Sequence, residues 1–145
     1  MGLLNEWINA VKSVDPFEVL KETMLHFHAE IIELNQEQLD KGEKSTGERL
    51  SPYSTPYKKY VRQRLGLQTA NKDLNVTGKF RDDMYANPTQ LYTIVGSRDF
   101  KEKFLEKMEG KEIFGLNEKN LNYLFFELGA LDYFVNLYTQ KVSDL

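Results

Sequence analysis

Residues 16–41 read PFEVLKETMLHFHAEIIELNQEQLDK, and the apolar pattern of this stretch decides the fold class. Asp15 precedes it as an N-cap, and Pro16 stands at the first helical position, where a missing N–H costs nothing. Gly42 is a natural C-terminal stop. The spacing of three or four residues predicts one helix over about 16–41. Its stripe is formed by Phe17, Leu20, Met24, Phe27, Ile31, Leu34 and Gln38.

Helices are also predicted at both ends of the chain. Leu3–Val11 places apolar residues at helical spacing before the interruption at Ser13–Pro16. Near the other end, Asn117 caps a final helix whose apolar positions run from Leu121 to Tyr138. Gly129 is a weak point inside that helix.

The first half of the middle segment is rich in turn residues. Residues 42–56 read as a loop, and Thr55 and Pro56 start a short helix that ends at Gly66. In that helix Tyr57, Tyr60, Val61 and Leu65 are predicted to share one apolar face. Residues 67–76 are polar without periodicity, which predicts a mobile connection.

The second half of the middle segment mixes helix and strand signals. Phe80 and Met84 are four apart, which favours a helical turn that Asn87-Pro88 breaks. Residues 91–95 (LYTIV) are the best strand candidate, and Gly96-Ser97 is predicted to end it. A further helix is predicted from Phe100 to Met108, stopping at Gly110.

These elements predict a helix-rich α+β fold. It combines long N- and C-terminal helices with a small antiparallel sheet or β-hairpin near residues 84–96. A length of 145 residues fits one domain. We divide it into an N-terminal helical arm (1–41), an α/β core (42–116) and a C-terminal helix (117–145).

Composition excludes several classes of protein. With 41% hydrophobic and 28% charged residues the chain is not disordered throughout. No apolar run reaches the roughly 20 residues of a membrane helix, and no secretory signal opens the chain, so we expect no membrane association. The absence of cysteine excludes a disulfide scaffold and suits the cytosol.

Charge is divided along the chain. Residues 1–40 hold two bases and eight acids (net −6), and residues 41–85 hold ten bases and five acids (net +5). Residues 86–145 hold seven bases and nine acids (net −2), which completes the formal net charge of −3. An acidic arm beside a basic middle favours oriented contacts with partners.

The sequence carries no catalytic or metal-binding motif. His26 and His28 are two apart, so on a helix they face different ways and do not form a zinc-binding pair. Asp82, Asp83 and Asp99 lack the spacing of a cation loop. Phosphate-loop and Gly-x-Ser-x-Gly patterns are missing as well. We therefore expect no enzyme activity, no cofactor and no metal.

A basic and aromatic patch is the strongest electrostatic feature. Lys58, Lys59, Arg62 and Arg64 fall within seven residues of each other, interleaved with tyrosines that include Tyr53 and Tyr57. Such a patch can bind phosphates and stack bases, contact an acidic protein surface, or simply be solvated. The overall acidic charge argues against a dedicated nucleic-acid binder.

The order of four short motifs over residues 45–121 resembles a known family. These motifs are GERLSPYS at 47–54 with a basic run ending at Gly66, LNVTGKF at 74–80, IVGS at 94–97 and IFGLN at 113–117. Together they resemble the virion morphogenesis and tail-completion proteins of tailed phages, which include head–tail connector and tail-terminator components.

The resemblance implies a structural virion protein of the neck, between portal and tail, made in the host cytoplasm. It implies portal, connector or tail proteins as partners and a homo-oligomeric ring. The candidate interface residues are Tyr53, Tyr57, Lys58, Lys59, Arg62, Arg64, Thr77, Gly78, Phe80, Phe114 and Gly115. Two alternatives stay open: a packaging or regulatory protein that contacts nucleic acid through Lys58–Arg64, and a helical protein–protein adaptor.

Overall fold

The computed structural model describes residues 2–89 and 92–145. Its helices are α1 (Gly2–Ser13), α2 (Pro16–His26), α3 (His28–Asp40), α4 (Thr55–Tyr57), α5 (Lys79–Asp82), α6 (Glu102–Glu109), α7 (Glu118–Asn122) and α8 (Ala130–Ser143). Two π-helical turns, Lys58–Arg62 and Tyr123–Glu127, extend α4 and α7, and a 3-10 turn covers Lys111–Ile113. The strands are β1 (Met84–Pro88) and β2 (Thr93–Ser97). The predicted helix-rich α+β fold with a hairpin near 84–96 is confirmed.

The long helix predicted over 16–41 is divided at Phe27 into α2 and α3. His28 Nδ1 lies 2.8 Å from the carbonyl oxygen of Leu25. In a continuous helix this oxygen would accept the hydrogen bond from the Ala29 N–H, so the contact with His28 competes with the helical hydrogen bond. The His26 ring at the end of α2 stacks on the ring of Tyr133 of α8, with 4.2 Å between the ring centroids. This contact orients the junction between α2 and α3 toward α8. The predicted cap is confirmed, since Asp15 accepts a hydrogen bond from the Phe17 N–H at 2.9 Å.

The C-terminal segment is likewise not one helix. Asn117 caps α7 as predicted, accepting from the Asn120 N–H at 2.9 Å. A π-helical turn follows, and Gly129 then adopts φ +88° before α8 begins. A left-handed residue cannot continue a right-handed helix, so the weak point noted at Gly129 is a complete break.

The hairpin pairs β1 with β2 in antiparallel register, with Met84 opposite Ser97 and Pro88 opposite Thr93. The predicted helical turn is present as α5, but it ends at Asp82, and Met84 opens β1 instead of belonging to the turn. Gly96 and Ser97 are the last two residues of β2, so the predicted end of the strand is confirmed. At Gly96 a Cβ would lie 2.7 Å from the Tyr85 hydroxyl, so a larger residue there would have to displace the Tyr85 side chain. Leu91, the predicted start of the strand, lies outside the described residues.

The core has three parts. The first surrounds Leu39, Phe80 and Ile113, and the second surrounds Phe27, Ile31 and Leu124. The third joins the two ends of the chain, where Val14, Val19 and Val142 are buried together. Because α3 packs against β1, the later part of the predicted N-terminal arm belongs to the core.

Candidate functional site

An apolar groove is the principal concave feature formed by the predicted interface residues, and we call it the α6 groove. Its volume is about 450 Å³. One wall is α6, and the floor comes from residues 53–57 and 72–80. The lining side chains are mainly apolar or aromatic: Tyr53, Ser54, Tyr57, Lys72, Leu74, Val76, Thr77, Gly78, Phe80, Lys101, Phe104, Leu105 and Met108.

The Thr77-Gly78 turn sets one edge of the groove. Gly78 has φ +84° and leads into α5, and the Thr77 hydroxyl accepts from the Lys79 N–H at 3.4 Å. This turn directs Phe80 into the core, where its ring lies 5.8 Å from that of Phe114. The two motifs 74–80 and 113–117 therefore meet at this point.

The opposite wall is an amphipathic helix that leaves apolar side chains in solvent. In α6, Leu105 packs against the core, whereas Phe104 and Met108 are exposed. Phe100, just before the helix, is exposed as well. Exposed aromatic and thioether side chains around a groove are typical of a surface that binds another protein.

A buried ion pair supports the floor. Arg62 is completely buried, and its Nη2 lies 3.2 Å from Oδ1 of Asp73. The guanidinium also donates to the carbonyl oxygens of Gln68 at 2.8 Å and Asn75 at 2.9 Å. These bonds fasten residues 67–76 to the π-helical turn, so this segment without helical periodicity is held by buried polar contacts.

Tyr53 joins the ion pair to the groove. Its hydroxyl donates to Asp73 Oδ1 at 3.1 Å and accepts from the Leu74 N–H at 3.1 Å. Burial, and then the negative charge of Asp73, raise the pKa of Tyr53 to about 12. Tyr53 therefore stays a neutral hydrogen-bond donor at physiological pH.

A second buried ion pair joins α6 to the floor. Lys72 Nζ lies 2.5 Å from Glu109 Oε1 and 3.0 Å from the Ser51 hydroxyl, which itself donates to Glu109. Burial alone would raise the pKa of Glu109, but the hydrogen bonds from Lys72 and Ser51 outweigh it and the pKa is lowered. The arrangement therefore serves to fix α6 in place.

The predicted interface residues fall into three groups. Tyr53, Tyr57, Thr77, Gly78 and Phe80 line the α6 groove. Phe114 is buried beneath it, and Gly115 (φ +98°) donates its N–H to the Asn35 side chain at 2.8 Å. Lys59 and Arg64 are exposed and Lys58 is half-buried on the outside of the π-helical turn.

Arg62 is a correction to the predicted basic patch. Its side chain points inward to Asp73, whereas Tyr60, Val61 and Leu65, predicted to share one face, are exposed. Arg62 lies in a π-helical turn, whose i→i+5 hydrogen bonds give a different angle per residue from that of an α-helix. The patch therefore offers fewer cations to a phosphate backbone than the sequence indicated.

Sequence reasoning missed Lys72, Asp73 and Glu109. Each forms its ion pair over a distance of 11 or 37 positions in the chain, for which no local pattern exists. The sequence held one signal, because residues 67–76 contain charged residues but no helical periodicity. Such a stretch can be ordered by ion pairs instead of by burial of an apolar face.

The first two turns of α1 form a separate apolar surface. Leu3, Leu4 and Trp7 are exposed, and Trp7 is 62% exposed. Further along, α1 is attached to α8, since the Tyr138 hydroxyl donates to the Val11 carbonyl oxygen at 3.0 Å. The start of α1 therefore projects with its apolar side chains in solvent.

The chain exposes more surface than a compact monomer of its size. A protein of 16.9 kDa is expected to expose about 7,700 Å², whereas this chain exposes 9480 Å². The excess of about 1,800 Å² is similar to the total area, about 1,600 Å², that a standard protein interface buries.

Comparison with protein-family models, curated proteins and solved structures finds no match for this chain. Among the described residues, no helix is long and apolar enough to cross a membrane. In the same part of the chain, no group of three or more His, Asp or Glu side chains is arranged to hold a metal ion.

Proposed function

We propose that this chain is a structural subunit of a tailed-phage virion, assembled at the neck or tail-completion region between portal and tail. The observation that carries the proposal is the surface excess of about 1,800 Å² over a compact monomer. A chain that keeps this much surface, much of it apolar, is most stable when neighbours cover it.

Exposed apolar side chains occur at separate places on the fold. Trp7 lies in the first two turns of α1, Phe104 lies on α6, and Phe126 lies on the π-helical turn after α7. A single small-molecule site would need one concave pocket. Several distinct apolar surfaces favour a subunit that contacts more than one neighbour.

The phage assignment is supported by the order of motifs. GERLSPYS and LNVTGKF, far apart in sequence, both contribute lining residues to the α6 groove. IFGLN packs directly below, through Phe114. The residues behind the resemblance therefore form one contiguous region, as expected if they serve a common contact role.

The proposal is tested on phage particles produced from the genome that encodes this chain. Mass spectrometry of purified particles is expected to detect the chain at a fixed ratio to the portal protein. Gold-labelled antibody is expected to mark the head–tail junction. Absence of the chain from purified particles, or its presence only in the lysate, would overturn the proposal.

A further inference from the structure

The exposed start of α1 has the form of a ligand for a groove. Leu3 and Trp7 are one helical turn apart and share a face, with Leu4 beside them. They are exposed although α1 is fixed to α8 further along. A helix that presents apolar anchors at i and i+4 is the element that apolar grooves of other chains bind.

The α6 groove has the form of the matching receptor. Its volume of about 450 Å³ lies in the range of sites that enclose a few large side chains. Phe104 and Met108 form an exposed apolar wall, and α1 contributes no side chain to the described lining. The helix and the groove of one chain are therefore both uncovered.

Charge favours contact between copies. The charges at the two surfaces are few: α1 carries Glu6 and Lys12, and the groove is lined by Lys101 and by Lys72, which is paired with Glu109. Glu6 stands next to Trp7 on α1, so it can meet Lys101 when Trp7 of another copy enters the groove.

We propose that Leu3, Leu4 and Trp7 of one copy dock in the α6 groove of the next copy. This contact joins two different surfaces, so it repeats head to tail and closes into a ring when the rotation permits. The excess surface of about 1,800 Å² is enough for one such interface per subunit. The inference deepens the proposed function and rests on it.

Disulfide trapping tests the contact without background, because the chain has no cysteine. Leu3→Cys combined with Phe104→Cys is expected to give a ladder of covalent multimers under mild oxidation, which collapses on reduction. The control pairs Leu3→Cys with Leu25→Cys, because Leu25 is 57% exposed and Phe104 63% exposed. Equal ladders from both proteins, or only monomer from the first, would overturn the inference.

Light scattering of single variants tests whether the contact drives assembly. Trp7→Glu and Phe104→Glu are each expected to reduce the assembly to monomer, whereas Leu25→Glu keeps the wild-type mass. Circular dichroism checks that each variant is folded. Mixing Trp7→Glu with Phe104→Glu is expected to give a one-to-one dimer, because one copy keeps an intact groove and the other an intact helix.

The outcomes separate this inference from the proposed function. If the wild-type chain is monomeric, or if Trp7→Glu assembles like wild type, the docking inference is overturned. Neither result removes the chain from phage particles, where mass spectrometry tests the proposed function independently. If the mixture forms the dimer but the chain is absent from particles, the docking stands and the proposed function fails.

Discussion

Arg62→Met is expected to lower the free energy of unfolding by about 3 kcal/mol, because it removes one partner of a buried ion pair. Arg62 is completely buried, and Asp73 opposite it is nearly so. The substitution also leaves the carbonyl oxygens of Gln68 and Asn75 without their side-chain donor. Methionine has a similar length and no charge, so the cost arises mainly from unpaired polar groups.

The expected magnitude is at the lower end of the 3–5 kcal/mol typical of broken buried pairs, about 3 kcal/mol. Asp73 keeps three other hydrogen bonds, from the Tyr53 hydroxyl at 3.1 Å, Gln68 Nε2 at 2.8 Å and the Asn75 N–H at 3.0 Å. These stabilise its carboxylate after Arg62 is lost. With a urea slope of about 2 kcal/mol/M, the unfolding midpoint falls by about 1.5 M.

Urea unfolding followed by circular dichroism measures this shift. The control is Lys141→Met, which breaks the half-exposed pair between Lys141 and Glu22 at 3.1 Å and is expected to cost under about 1 kcal/mol. Adding Asp73→Asn to Arg62→Met is expected to cost much less than the sum of the single changes. An Arg62→Met protein within about 1 kcal/mol of wild type would refute the reasoning.

Three further predictions concern the supports of the groove and the fold. Glu109 has a lowered pKa in the folded chain, so its contribution to stability is complete above its ordinary value of 4.5 and is lost as pH falls through the folded value. Glu109→Gln should therefore flatten the loss of stability seen in acid titrations of wild type; an unchanged acid profile contradicts this. Asn35→Ala removes hydrogen bonds to Ile113 (3.0 Å) and Gly115 (2.8 Å) and should cost about 2 kcal/mol in urea unfolding, where no change would argue against the role of Asn35. Gly129→Ala should lower the unfolding free energy by about 1 kcal/mol in the same assay. The cost is backbone strain alone, because φ is +88° and an added Cβ meets no atom within 4 Å. A variant that is more stable than wild type would contradict this prediction.

Local signals in the sequence were sufficient for the elements and their caps. Asp15 and Asn117 cap helices as predicted, because a short polar side chain beside free N–H groups is a property of a few neighbouring residues. The second strand of the hairpin followed from β-branched and aromatic residues before Gly96, whereas the residues leading into β1 carried the pattern of a helical turn. The register of the hairpin did not follow from the sequence. It depends on how β1 and β2 pair and on the approach of Tyr85 to Gly96.

The groove could be predicted only in part. Thr77-Gly78 and Tyr53 were identified from their motifs and do line it. The supports of the groove could not be found, because the pairs Arg62–Asp73 and Lys72–Glu109 form only when the chain has folded. Arg62 points inward from a π-helical turn, which a periodicity of 3.6 residues does not describe.

The division of charge was visible in the sequence, but its structural meaning was not. Counting residues located an acidic arm and a basic middle. Only the fold shows that the arm begins with an exposed apolar turn around Trp7, and that the basic middle forms the floor of an open groove. Complementary surfaces on one chain are a property of tertiary structure.

The solution mass of the wild-type chain tests the central claim most directly. Sedimentation equilibrium across a range of protein concentrations measures this mass without immobilising the protein. A subunit with uncovered complementary surfaces is expected to give a multiple of 16.9 kDa that is sensitive to Trp7→Glu. A mass of 16.9 kDa at every concentration would contradict the account.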